Sequence, residues 1–403
     1  MTGALARTLG LGHAVAYGVG VTVGAGIYVL VGVAAGYSGM HTPLAFALAA
    51  LAMAPTAAVF SELGTRLPVS ASEPAYIERA FARRWLTMAT GILVLVTATI
   101  SAATISAGSA GYIGALVPLP RWAIVPAVVL AMGATAGLAT ARAIAIAGAM
   151  TVIEVGGLVL IVAAGIADGL PLLGRLDQIV PAAADPDAWR MVGASSMIAV
   201  FAFIGFEHLV NIGEEMRRPG RTLPLALFAT LGVTAALYMA VSWTAVVAVA
   251  PADLAASPAP LALVFERLTG LPRWVMASIA IVATLNGIVV TVVMIARVLY
   301  GMASQGFLPR VLAAVDARTA TPRRATAVAV AAVLVLAVAV PLNGLADLAS
   351  RGTLLVFAAV AGALIRIKRR GDPLPDGAFH CPQWLAWAAL ATSVAPLVLS
   401  LTG

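Results

Sequence analysis

Eleven runs of apolar residues follow one another along the chain, each close to the ~20 residues that carry a helix across a bilayer, with short charged or proline-rich stretches between them. They lie at roughly 13–36, 44–63, 87–111, 122–139, 144–167, 192–213, 225–248, 275–303, 325–340, 345–365 and 384–401. The gap between the fourth and fifth is held open chiefly by Arg142. Inside hydrocarbon the backbone must satisfy its own N–H and C=O groups, which these runs do as helices. The expected fold is an all-α polytopic membrane protein with about eleven transmembrane helices. Composition agrees: 62% of residues are apolar and 10% charged, against about 25% charged in soluble domains. That is too little polar surface to face water.

The charges that remain report orientation. With the N-terminus cytoplasmic, seventeen of the 24 Lys and Arg fall in inner segments, five in outer loops, and two, Arg297 and Arg351, within spans. This asymmetry follows the positive-inside rule, and an odd number of spans then places the C-terminus outside. The net charge of +7 is read as orientation, so no nucleic-acid partner is expected. The start runs into the first apolar segment without a small-residue cleavage site, which reads as a retained span rather than a signal peptide. The single cysteine, Cys381, excludes an intrachain disulfide or a multi-cysteine cluster. His13, His41, His208 and His380 show no metal-ligand spacing, so no metal site is expected. No nucleophile motif stands out, and the chain is not read as an enzyme.

Two of the runs are interrupted by glycine: the first at Val23-Gly24-Ala25-Gly26-Ile27, the sixth at Phe203-Ile204-Gly205-Phe206-Glu207. They stand five spans apart and so face opposite ways, a pattern that points to an inverted-repeat transporter with its site at the interruptions. Glycine in a helix interior costs about 1 kcal/mol relative to alanine. Two readings are open for the first group: close helix packing through Gly20 and Gly24, or an unwound stretch whose free N–H groups receive a carboxylate.

Charge cost singles out further residues. Glu207 lies about one and a half turns inside the sixth span, which calls for a wet cavity or a partner. Glu154, near the middle of the fifth span, and Arg351, a few residues inside the tenth, are either a proton or cation site and a gating partner, or buried structural pairs. Asn286 and the Thr97, Thr99, Ser101, Thr104 group carry a weaker signal. Glu214 and Glu215 sit beside Arg217 and Arg218 at the inner end, where a solvated ion-pair network is expected.

The first-span sequence Gly18-Val-Gly-Val-Thr-Val-Gly-Ala-Gly-Ile-Tyr-Val-Leu-Val-Gly32 and the block from Phe201 to Pro224 resemble the amino acid/polyamine/organocation (APC) superfamily of secondary transporters, in particular its bacterial amino acid permeases. Ala296 to Pro309 and Gly352 to Phe357 extend the likeness over most of the chain. The resemblance implies a five-plus-five inverted repeat with discontinuous first and sixth helices. In this chain that means about 13–167, then about 192–365, and an extra helix at about 384–401, in a single transporter domain working by alternating access. It further implies that amides around Val23, Gly24, Ala25, Gly26 and Ile27 bind a substrate carboxylate. Carbonyls around Phe201, Ala202, Phe203, Ile204 and Gly205 would receive the amino group. Glu207 occupies the position of an acid found in many relatives, and Tyr28, Phe206 and Arg351 are expected to gate.

Two departures from the family pattern stand out. Some relatives carry a Lys where this chain has Glu154, and the reversed charge removes that coupling scheme, so Glu154 with Asn286 is expected to couple transport to a proton rather than to sodium. Many relatives also have twelve or more helices. The expected function is a permease of the bacterial inner membrane for an amino acid or related amine, working as a proton symporter. An amino acid or polyamine exchanger is the alternative, and a non-transporting sensor or accessory subunit is the alternative of another class. No cofactor is expected.

Overall fold

Because a lipid-exposed backbone has no water to bond, regular helix dominates wherever the apolar runs occur. The computed structural model describes residues 9–24, 26–68, 72–137, 140–316 and 321–402. It contains helices α1 (Leu11–Val23), α2 (Gly26–Ser38), α3 (Thr42–Arg66), α4 (Ser72–Phe81), α5 (Arg84–Leu116), α6 (Arg121–Ala136), α7 (Thr140–Ala167) and α8 (Pro186–Phe203). After a 3-10 segment, Phe206–Glu215, come α9 (Pro219–Ala248), α10 (Pro251–Ala256), α11 (Pro260–Thr269), α12 (Trp274–Ser304), α13 (Arg323–Ala339), α14 (Leu342–Arg369) and α15 (Gln383–Thr402). Among the described residues the only extended pairing is a single bridge between Leu9 and Met216.

Every apolar run coincides with a helix, or with a broken pair: α1 and α2 for the first, α8 and the 3-10 segment for the sixth. Among the described residues, seven stretches are long and apolar enough to cross a membrane: Gly26–Arg66, Arg84–Leu116, Gly148–Ala167, Pro186–Gly213, Pro219–Ala248, Trp274–Ser304 and Gly344–Arg369. Shorter apolar helices accompany them at Leu11–Val23, Arg121–Ala136 and Gln383–Val398. The chain is therefore an all-helical, multi-pass membrane protein. Residues 138–139, in the expected gap between the fourth and fifth runs, and the side chains of Arg142, Glu214 and Glu215 lie outside the described residues.

Helices five runs apart pack on one another: α3 on α9, α5 on α12, and α2 on α8. One end of the bundle is basic and polar. There Arg84 Nη2 donates to Gly306 O at 3.0 Å, Arg66 Nη1 to Pro373 O at 3.0 Å, and Arg366 Nε to Ala80 O at 2.8 Å. Below it lies a buried ion cluster. Glu62, with no exposed surface, accepts from Arg66 Nε, Lys368 Nζ and the Cys381 N–H, each at 2.7 Å. At the opposite end α10 and α11 fold down onto α2 and plug the bundle, with the Leu254 carbonyl seated on Gly32.

Candidate functional site

The two glycine interruptions are real breaks in the helices, and they touch. α1 stops at Val23, Gly24 takes φ 20° and ψ −123°, and α2 restarts at Gly26. Ala25, expected to bind substrate, lies outside the described residues. α8 stops at Phe203, Ile204 is extended, and Gly205 takes φ 126°, a left-handed conformation that a side chain would strain. Glycine is also required by space. A Cβ on Gly26 would lie 2.5 Å from Ala202 Cα, and one on Gly205 would lie 2.9 Å from Val21 O. The backbone of each break is thus packed against the other.

This contact brings opposite helix ends to one place. The first turn of α2 leaves N–H groups without partners inside the helix and carries the positive end of its dipole. The last turns of α1 and α8 bring carbonyls and negative ends. Tyr238 of α9 bridges those two ends: its hydroxyl lies 2.9 Å from Thr22 O, 3.3 Å from Val23 O and 2.9 Å from Ala202 O. One hydroxyl proton serves one of these acceptors at a time. Nothing in the sequence marks Tyr238, a single tyrosine in an apolar helix.

A cleft opens at the breaks. Of the residues expected to bind substrate, Gly24, Gly26, Phe201, Ile204, Gly205 and Glu207 line it. Val23, Ile27, Ala202 and Phe203 are buried behind the lining, with the Phe203 ring 5.2 Å from that of Tyr238. The opposite wall comes from Thr97 and Ser101 of α5, Gly287 and Thr291 of α12, and Thr353 and Phe357 of α14. The cleft continues into a second lobe toward the basic end, lined by Thr87, Asn211, Gln305 and Phe307 among others. The lobes share Glu73, Val94 and Met294.

Glu207 is 6% exposed, and its Oε2 accepts from the Gly205 N–H at 2.8 Å, so the carboxylate braces the broken turn while it lines the cleft. Its Oε1 lies 3.8 Å from His208 Nε2. Phe206 does not reach the cleft. It packs behind Phe357 at a centroid distance of 6.0 Å, in a cluster with Phe60, and Phe357 presents its ring to the space.

Glu154 and Asn286, paired as an ion-coupling candidate, do meet. Asn286 Nδ2 donates to Glu154 Oε2 at 3.4 Å, while Glu154 Oε1 and Asn286 Oδ1 have no hydrogen-bond partner among the described residues. The pair is fully buried and sits outside the cleft lining. Tyr28 is tied to the same place, since its hydroxyl donates to the Glu154 carbonyl at 2.5 Å, and Tyr112 in turn donates to Tyr28 O at 2.6 Å. Arg351 pairs with neither membrane carboxylate. Its Nε lies 2.7 Å from Asp347 Oδ2, one turn earlier in α14, and its side chain is about one-third exposed.

The sequence matches a family of known proteins. The model of a family described as amino acid permease matches residues 9–402. An uncharacterised transporter of Mycobacterium tuberculosis is 31% identical over 363 residues, covering 89% of this chain and 80% of the relative. A branched-chain amino acid permease of Bacillus subtilis is 28% identical over 411 residues, covering 94% and 84% respectively. A vacuolar cationic amino acid transporter of Arabidopsis thaliana is 28% identical over 388 residues, covering 90% of this chain and 60% of that longer protein.

Proposed function

We propose, from the premise that this chain belongs to the amino acid permease family, that it carries an amino acid across the bacterial cytoplasmic membrane by alternating access, coupled to protons. Transport of amino acids is the activity for which the family is named; the residue roles and the coupling are our reading. The observation that carries it is the convergence of the α2 N-terminus with the carbonyl ends of α1 and α8 on one cleft. A zwitterion fits such a place, its carboxylate at the free amides around Gly24 to Ile27 and its ammonium at the carbonyls around Phe201 to Gly205. Glu207 holds the second break open and balances the ammonium charge.

Packing between helices five runs apart supports two inverted five-helix repeats followed by an extra helix. In the orientation set by the basic loops, with the N-terminus cytoplasmic and the C-terminus outside, the cleft runs toward the cytoplasm and α10 and α11 close the far side. The described conformation is then inward-facing. Glu154, with one carboxylate oxygen lacking a partner among the described residues and Asn286 beside it, is the proton site.

Purified protein in liposomes tests this reading. Glu207→Ala is expected to abolish uptake while the protein remains monodisperse and folded; normal uptake removes Glu207 from the site. Glu154→Gln is expected to keep substrate exchange and lose accumulation driven by a pH gradient. Full accumulation by that variant refutes its coupling role.

A further inference from the structure

Most polar side chains around the cleft already have partners. Glu207 accepts from the Gly205 N–H, and its other carboxylate oxygen lies 3.8 Å from His208 Nε2. Glu73 is engaged as well. On the wall facing the breaks, Thr97 Oγ1 donates to Leu93 O at 2.6 Å and Thr291 Oγ1 to Gly287 O at 2.8 Å. Each of these hydroxyls has its proton committed to its own helix and keeps only lone pairs for a ligand. Ser101 of α5 is different. It lines the cleft, it is 6% exposed, and its Oγ has no hydrogen-bond partner among the described residues. Of the described residues lining the cleft and its second lobe, no other has a buried side-chain nitrogen or oxygen in that condition. A hydroxyl buried without a partner is costly to the protein alone, and the cost is removed when a ligand supplies the missing hydrogen bond.

The position of Ser101 limits how far a substrate must reach. α2 and α5 belong to the first and third spans and run the same way through the bundle. Gly108, about two turns beyond Ser101 on α5, packs against Val29 of α2. Counting back about 10 Å along both helices brings Ser101 level with the break at Gly24, where the substrate's α-carbon would sit. A group on the β-carbon of the substrate is therefore the one that meets it. The same lining carries no lysine or arginine among the described residues, so it has no side-chain cation of that kind for an acidic substrate side chain.

Resting on the amino acid permease reading, we infer that Ser101 is a specificity-determining residue for a short, neutral, hydroxyl-bearing side chain, and that the substrate class is the β-hydroxy amino acids, serine and threonine. Ser101 Oγ exchanges a hydrogen bond with the substrate hydroxyl, and the committed threonines beside it can only accept. An aliphatic side chain of equal size leaves Ser101 unpaired, which is how a site built to bond a substrate hydroxyl rejects the analogue that lacks it.

Threonine and valine separate hydrogen bonding from shape, since they differ by a hydroxyl in place of a methyl group. Counterflow in liposomes and thermal shift of the purified full-length protein are run with threonine, valine, serine and alanine. The wild-type protein is expected to prefer threonine to valine by at least tenfold in apparent affinity, and serine to alanine in the same direction. Ser101→Ala is expected to reduce the threonine-to-valine ratio to within about twofold, mainly by weakening threonine. Equal handling of threonine and valine by the wild-type protein overturns the assignment, as does a preference for valine or an unchanged ratio in Ser101→Ala. Should that variant fail to fold, the wild-type ratios decide the matter alone. Exchange of other amino acids with none of these four overturns the substrate class and leaves the permease reading standing. Failure of every standard amino acid to exchange or to stabilise the protein removes the permease reading itself.

Discussion

Tyr238 offers one proton to three carbonyl oxygens drawn from the ends of two broken helices, so the space around it keeps a negative potential however the hydroxyl turns. Removing that hydroxyl leaves buried carbonyls without a donor, at a cost of about 1–3 kcal/mol. Tyr238→Phe is therefore expected to lower the thermal midpoint and to weaken substrate binding together, read by thermal shift with and without substrate; unchanged values for both contradict the bridging role. Gly205 stands at the same junction with φ 126°, where a methyl group would also press on Val21 O. Gly205→Ala is expected to cost about 1–3 kcal/mol in backbone strain alone and to abolish uptake. Wild-type uptake by this variant would show that the break tolerates a side chain. The sequence pointed to Gly205 and Glu207 because their oddness is local: a glycine and a charge where a span should have neither. Tyr238 has no such mark, since a buried tyrosine is ordinary and only its neighbours make it unusual.

Among the elements, α4 was hidden from sequence reasoning. Ten residues with two glutamates and an arginine cannot span a bilayer, and the stretch reads as a loop. It becomes a helix because its apolar face, with Tyr76, Ile77 and Ala80 buried, packs on α14 and α5. The connection from α14 to α15 then fastens it. Asp372 takes an ion pair from Arg79 at 3.3 Å and one from Arg370 at 2.8 Å. The hydrogen bond from Arg370, with the charges of Arg370, Arg79 and Arg66, holds the Asp372 carboxyl below its ordinary value. A depressed folded value means that its stabilisation is complete above the unfolded value of about 3.9 and is lost only as pH falls through the lower folded one. Asp372→Asn is thus expected to reduce the thermal midpoint equally at pH 5 and pH 8; a deficit confined to pH 8 would contradict the assignment. The deeper Glu62 cluster joins α3 to α14 and to Cys381, two residues before α15. Breaking a buried pair from one side costs about 3–5 kcal/mol, so Lys368→Met should destabilise far more than Asp372→Asn, as measured by denaturation in detergent.

At the scale of the molecule the cleft is open at one end and plugged at the other, which makes access directional. Cys381 provides a quiet background for testing it, because burial pushes its thiol up to about 12 and keeps it out of the reactive thiolate form. A cysteine introduced by Met294→Cys, where the two lobes meet, is expected to react with a membrane-impermeant maleimide in inside-out vesicles and to be protected by substrate. Reaction from the outer face alone would reverse the proposed orientation. What the sequence by itself determined is everything that depends on a short stretch of chain: apolar length against bilayer thickness, glycines that cannot continue a helix, and acids too costly to face lipid. The meeting of those residues was decided only by the tertiary structure. Glu207 shares its cleft with Glu73, from a helix the sequence concealed, and Glu154 is buried away from that cleft against Asn286 and Tyr28. The physical reason is that the depth of a residue in the membrane is written along the chain, whereas the direction its side chain faces is set by how each helix is turned against its neighbours. Only packing supplies that turn.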